Sequence, residues 1–188
     1  MWNWLKGLFF GGILGGAIGF LIGIFSFPYF FPPPPASETL TEAETANPVA
    51  TGEFIHANPS DPVHYGKGRV SVYPGLVFLG EDFEVGPGPD YHVYLVPKAD
   101  IRASSDVTDT MYVDLGRLRA FKGNQKYPIP AGVDLKDYPS VVIWCQQFSV
   151  LISPADLSFE GQARGSQGVK DQGVKDQGVE DQGVESQG

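Results

Sequence analysis

The chain has 188 residues, one cysteine and a net charge of −9; it is 19% charged and 13% aromatic, with 24 glycines and 16 prolines. That length allows one domain with extensions, and the acidic balance argues against a nucleic-acid partner, whose phosphates need a basic surface, and against docking on anionic lipid through a basic patch. A single cysteine rules out an internal disulfide, and in an exported protein it is a buried thiol, an intermolecular bridge or a reactive group.

No residue from Gly7 to Phe31 is charged. As a helix this stretch is about 37 Å long, enough to cross a hydrocarbon core of about 30 Å with some tilt. Trp2, Trp4 and Lys6 lie at one end, and Phe27, Tyr29 and Phe30 at the other, as interfacial belts do. A cleaved signal peptide is the competing reading. It needs a shorter apolar region and a small-residue cleavage site, whereas here Pro32 to Pro35 follow directly. No cysteine stands just after the apolar run, so lipoprotein processing is not indicated. Residues 1–31 are therefore read as an uncleaved transmembrane anchor. Lys6 before the span and Glu38, Glu42 and Glu44 after it favour a cytoplasmic N-terminus, with the rest on the extracytoplasmic (periplasmic or extracellular) side. Gly7, Gly11, Gly15, Gly19 and Gly23 recur every fourth residue, a spacing that lets helix backbones approach closely. This points to self-association or to docking on another membrane protein; the alternative is that glycine is simply common in membrane helices.

Residues 32–51 read as a linker: a stiff proline run, then a polar, acidic segment. Residues 52–160 read as the folded domain. Strands are predicted at Glu53–His56, Gly68–Tyr73, Leu76–Leu79, Tyr91–Val96, Met111–Leu118, Lys126–Ile129, Ser140–Ile152 and Leu157–Phe159. Turn signals separate them, including Asn58-Pro59, Pro74-Gly75, Gly86-Pro87-Gly88-Pro89-Asp90 and Lys122-Gly123-Asn124. Short strands at this spacing specify an all-β fold, an antiparallel sandwich or barrel-like domain. Within Val141–Cys145, alternation sends Val141, Ile143 and Cys145 to one face and Val142 and Trp144 to the other. Both faces are apolar, so the strand is expected to be covered on both sides. Residues 161–188 form a tail that from Ser166 repeats a five-residue unit, Ser/Asp-Gln-Gly-Val-Lys/Glu, with one apolar side chain per unit. That cannot bury a core, and the tail is read as disordered.

Catalytic signatures are absent: there is no Gly-x-Ser-x-Gly elbow, phosphate loop or His-Glu-x-x-His. His56, His64 and His92 are the neutral-pH acid–base candidates. His64 can be a ligand or simply a satisfied turn residue, and His92 is expected to face solvent. Asp100, Asp106, Asp109 and Asp114 flank a polar loop and match no calcium-loop spacing; no metal is assigned. Cys145 is the sharpest candidate. As a thiolate it can carry electrons, form a mixed disulfide or bind a metal or haem iron; as a neutral thiol it is a small buried hydrophobe.

Residues 52–157 resemble the DM-thirteen domain, also called the electron-transfer DM domain. The resemblance rests on an ordered series: Gly52-Glu-Phe54, His64 with Gly68 and Val70, Asp82-Phe83, Gly88-Pro89-Asp90 with Val93-Tyr94-Leu95, Asp114-Leu-Gly116 with Leu118, Gly123-Asn-Gln125 with Tyr127 and Pro130, Tyr138, and Ser140-Val-Val-Ile-Trp-Cys145 with Phe148, Ala155 and Leu157. It implies an all-β, sandwich-like domain outside the cytoplasm that acts in electron transfer or in oxidative modification of surface proteins. It implies further that Cys145 works as a bare redox thiol or as a ligand for a group such as haem, and that His64 occupies a histidine position of the family pattern. The sequence thus carries two main readings. One is a membrane-anchored redox or cofactor-binding module built on Cys145, with His64 as a second candidate ligand. The other is a non-catalytic binding or adhesion module in which the cysteine is only structural. A hidden enzyme site ranks below both, since convergent acid and base residues are not evident.

Overall fold

The computed structural model describes residues 2–42, 44 and 47–160. The pentapeptide tail lies outside them. Helix α1 (Trp2–Phe30) contains a single charged residue, Lys6, has no amphipathic stripe and buries no side chain. A helix apolar on every side is stable only in a core or a membrane. At about 43 Å it is long enough to span a bilayer. Pro28 falls in its last turns, and the Phe31 amide donates to the Phe27 carbonyl at 2.9 Å just beyond it.

The strands are β1 (Ala36–Ser37), β2 (Ala50–Phe54), β3 (Gly66–Tyr73), β4 (Leu76–Leu79), β5 (Glu84–Val85), β6 (Tyr91–Val96), β7 (Val113–Arg117), β8 (Gly123–Pro128), β9 (Ser140–Cys145) and β10 (Val150–Phe159). They form one curled sheet in the order β1-β8-β4-β3-β2-β10-β9-β6-β7, with β5 paired to β3. All pairings are antiparallel except β1 with β8, so the sheet is a mixed half-barrel.

The two ends of the sheet approach through Gln125, a fully buried amide. Its Oε1 accepts from the amides of Arg119 and Ala120, both at 3.1 Å, and from the Tyr127 hydroxyl at 2.9 Å; its Nε2 donates to the Ala120 carbonyl at 2.8 Å. Every polar atom of this side chain thus has a partner, as a buried amide requires.

The inner face of the half-barrel holds the larger core cluster, including Val70, Val77, Leu79, Phe83, Val93, Val141, Ile143, Cys145 and Ile152. A second cluster, Tyr94, Val96, Ile101, Val107, Val142, Trp144 and Leu151, fills the outer face of β6, β9 and β10. The connection from β6 to β7 covers it, with a single helical turn, α2 (Ser105–Thr108), that buries Val107. Asp106 holds this cover together. Its carboxylate accepts from Lys98 Nζ at 2.6 Å and from the amides of Arg102 and Ala103 at 3.0 and 2.9 Å. The Lys98 ammonium, with those amides, holds the Asp106 carboxyl down to about 2. All six residues of β9 are buried, with Val141, Ile143 and Cys145 in one cluster and Val142 and Trp144 in the other. The two-sided burial expected from alternation is what the fold contains.

Several expectations are corrected. The run predicted as one strand, Ser140–Ile152, is a hairpin that turns at Gln146–Ser149, where Ser149 takes a left-handed φ of 52°. Gln-Gln-Phe-Ser contains no glycine or proline to signal the turn. Strand β10 then continues through Pro154, which pairs opposite Val142 just after a register shift between Leu151 and Ser153. Proline is tolerated in a strand at such an irregularity. Part of the stretch read as linker joins the domain. Ala36 and Ser37 pair with Gly123 and Asn124, and Glu38 binds the Lys126 amide at 2.9 Å and Arg119 Nε at 3.1 Å. Gly123 permits this approach: its φ is +87°, and a Cβ there would collide with the Ala36 carbonyl.

Candidate functional site

Cys145 is the last residue of β9, pairs with Tyr91 on β6 and Val150 on β10, and is 1% exposed. Burial raises its thiol pKa above the ordinary value. The Asp90 carboxylate adds to the rise, while the backbone amides of Phe148, Gln147 and Asp90, directed at the sulfur, oppose it. At neutral pH the group is therefore a thiol, sealed on its apolar sides and facing backbone amides on its remaining side.

Three segments cap this end of the half-barrel. The first is the β9–β10 turn. The second is Gly86-Pro87-Gly88-Pro89-Asp90, tied to the turn by the Gln146 amide donating to the Asp90 carbonyl at 2.9 Å. The third is the connection from β2 to β3, linked to the second by the Gly86 amide donating to the Tyr65 carbonyl at 3.1 Å. Tyr91 fills the space between them. It is 4% exposed and donates weakly to the Pro87 carbonyl at 3.4 Å. Burial raises its phenol pKa, with Cys145, Tyr29 of α1 and Asp61 as neighbours that add to the shift. Gly88 lies so close to the Tyr91 ring that a Cβ there would overlap it. This explains chemically why glycine stands in that Gly-Pro-Asp element.

His64 is at the same end but does not address the thiol. Its Nδ1 pairs with Asp61 Oδ2 at 2.6 Å, and Asp61 Oδ1 accepts from the amides of Val63 and His64 at 2.9 and 3.1 Å. His56 Nε2 meets the Asp61 carbonyl at 2.7 Å. This is a self-contained turn. The bond from His64 and the two amides hold the Asp61 carboxyl down to about 2. Because that pKa is depressed, the turn's added stability is present above the ordinary 3.8 and is lost as the pH falls toward about 2. Hydrogen exchange at the Val63 and His64 amides, corrected for its intrinsic pH dependence, should lose protection across that window. Unchanged protection would show that the carboxylate does not hold the turn.

His92 does not point freely into solvent as expected. Its Nδ1 lies 2.9 and 3.0 Å from the two Asp114 oxygens, and its side chain is 16% exposed. Gln146 Nε2 joins the group, donating to the Tyr94 hydroxyl at 2.9 Å and to Asp114 at 3.0 Å. Tyr94, Gln146 and Asp114 were not singled out as site residues from the sequence. The pairing of β6 with β7 and β9 brings them together.

Ligation of a haem iron by Cys145 requires a thiolate with an open approach. Here the sulfur is 1% exposed and burial disfavours its thiolate, so the folded arrangement leaves that group no open approach. Among the described residues no cluster of three or more His, Cys, Asp or Glu side chains could hold a metal ion. The opposite end of the half-barrel has a groove of about 980 Å³, walled by Val49, Ile129, Val133, Leu135, Leu157 and Phe159. It lies beyond the start of β9 and does not reach the cysteine at its other end.

The Cys145 end also meets the apolar helix α1. Phe148, 53% exposed at the tip of the hairpin turn, packs on Phe25 of α1 with ring centroids 5.9 Å apart. A curled β half-barrel with one buried cysteine at the end that faces an apolar helix defines a small β module joined to a long apolar helix. The family model described as electron transfer DM13 matches residues 59–157, just over half of the chain. The protein belongs to that family. No curated protein and no solved structure matches the chain.

Proposed function

We propose that this protein is a single-pass, membrane-anchored electron-transfer module. Its N-terminus is cytoplasmic and its β domain extracytoplasmic, and Cys145 is its redox-active thiol. The observation that carries the reading is membership of the electron transfer DM13 family. The contact between Phe148 and Phe25 supports it, since the thiol's end of the domain is an end that meets the apolar helix. In this reading chemistry at the sulfur requires the Gln146–Ser149 turn to part from Gly88–Asp90. Protease added to intact cells stripped of any outer membrane should cleave the domain; cleavage only after the cytoplasmic membrane is broken would reverse the orientation.

The test of the thiol is Cys145→Ser in the full chain. The variant should keep its thermal unfolding within a few degrees and lose the chain-dependent part of electron flow measured in isolated membranes. A second reading, a tethered binding module with a structural cysteine, is favoured by the 1% exposure of Cys145. Undiminished electron flow with Cys145→Ser would select it.

Helix association is proposed through the glycine face. Among the described residues, nothing beyond the helix's own backbone lies within 4 Å of where a Cβ would stand at Gly7, Gly11, Gly15, Gly19 or Gly23, leaving room there for another helix. Gly15→Ile should lower the oligomeric mass found by sedimentation in detergent; a wild-type chain that is already monomeric there would remove the proposal.

A further inference from the structure

Trp144, Tyr94 and Tyr112 form a continuous aromatic column from the core to the surface. Trp144 is 5% exposed, Tyr94 1% and Tyr112 44%. The rings of Trp144 and Tyr94 are 6.3 Å apart between centroids at 25°, and those of Tyr94 and Tyr112 are 4.3 Å apart at 6°. The second pair is near-parallel and in direct ring contact, an offset-stack geometry that couples the two π systems closely. A phenol buried in the apolar outer cluster is costly unless satisfied, and here Gln146 meets the Tyr94 hydroxyl at 2.9 Å. The Tyr112 ring, stacked on that of Tyr94, carries the column to the surface. Phenylalanine would fill both positions without this polar cost. What phenylalanine lacks is an O–H that can give up an electron and a proton together.

We propose that this column carries oxidising equivalents from Trp144, the neighbour of Cys145 in β9, out to Tyr112, where a soluble one-electron reductant of the ascorbate or thiol class discharges them. The inference rests on the reading of the domain as an electron-transfer module, but it requires neither an exposed thiol nor a bound cofactor. A one-electron radical oxidant takes an electron from Trp144 and leaves as its anion, giving the indole radical cation. Tyr94 returns an electron to Trp144. As it does so its phenolic proton is lost to water. Tyr112 then gives an electron to the Tyr94 phenoxyl radical, which regains a proton from water while the Tyr112 phenolic proton leaves to water. The external reductant supplies one electron to Tyr112, and a proton from water restores its hydroxyl. The net change is one-electron reduction of the oxidant and one-electron oxidation of the reductant, with all three side chains regenerated.

The test is pulse radiolysis with azide radicals on the full chain in detergent micelles. Trp2 and Trp4 are replaced by phenylalanine so that Trp144 is the only indole. The indole radical should decay as phenoxyl absorption rises, at a rate independent of protein concentration. Tyr94→Phe keeps the ring and should slow that decay on the order of tenfold or more, equivalent to about 1.4 kcal/mol in the barrier. Tyr112→Phe should leave the first transfer intact and slow reduction of the phenoxyl radical by added ascorbate by a similar factor. This surface variant carries the test if Tyr94→Phe fails to fold. An unchanged decay in Tyr94→Phe, unchanged ascorbate reduction in Tyr112→Phe, or a decay slowed instead by Tyr91→Phe would overturn the route. None of these results depends on the outcome for Cys145→Ser.

Discussion

Gln125→Leu should destabilise the domain by about 3 kcal/mol or more. Leucine is similar in size and apolar, so the loss would come from the partners left behind. The amides of Arg119 and Ala120, the Ala120 carbonyl and the Tyr127 hydroxyl all bond the glutamine side chain. With Gln125 fully buried, water cannot easily replace it. Each buried group without a partner costs about 1–3 kcal/mol. Gln125→Glu is the informative companion. It restores acceptors but brings a charge into the interior, so it should be at least as damaging at neutral pH and recover in part as acid protonates it. Chemical denaturation of both variants measures this. A change below about 1 kcal/mol in Gln125→Leu would mean that the two ends of the sheet are not held by this amide.

Gly88→Ala should uncover the thiol. The added methyl has no room beside the Tyr91 ring, so either the loop or the ring must move. Both lie over Cys145. The reaction of the native thiol with a small maleimide should rise on the order of tenfold or more, whereas Pro89→Ala, which adds no volume against the ring, should leave it near the wild-type rate. An unaltered rate in Gly88→Ala would show that another element seals the sulfur.

Local chemistry made much of this fold legible in the sequence. Leu76–Leu79 and Tyr91–Val96 are bounded by proline and glycine turns, and these strands fall where the turn signals put them. The alternating apolar run of β9 gave both of its faces, because a strand buried on two sides leaves no other pattern. The family resemblance was legible from spaced residues such as Gly88-Pro89-Asp90 and Trp144-Cys145, and the family match covers them.

What the sequence hid was long-range pairing. The turn at Gln146–Ser149 depends on a left-handed serine, which carries little local signal. Pro154 looked like the end of a strand because its tolerance depends on a register shift just before it. Ala36 and Ser37 have no strand character and pair only because Gly123 lets them approach. The environment of Cys145 was partly legible: its face was evident, but its enclosure by three segments distant in sequence was not. The partnership of His92 with Asp114 follows from strand pairing alone, and that of His64 with Asp61 from a turn that sequence reasoning left open.

The enclosure of the sulfur is tested most directly by a time course of maleimide addition to the full chain in native membranes, with mass spectrometry before and after unfolding. One thiol is expected, reacting slowly while the domain is folded, as the Gln146–Ser149 turn parts from Gly88–Asp90, and fully once it is unfolded, on a chain with no haem absorbance; a folded thiol that never reacts would select the structural-cysteine reading. Rapid modification of the folded protein, or a haem band that disappears with Cys145→Ser, would contradict the enclosure.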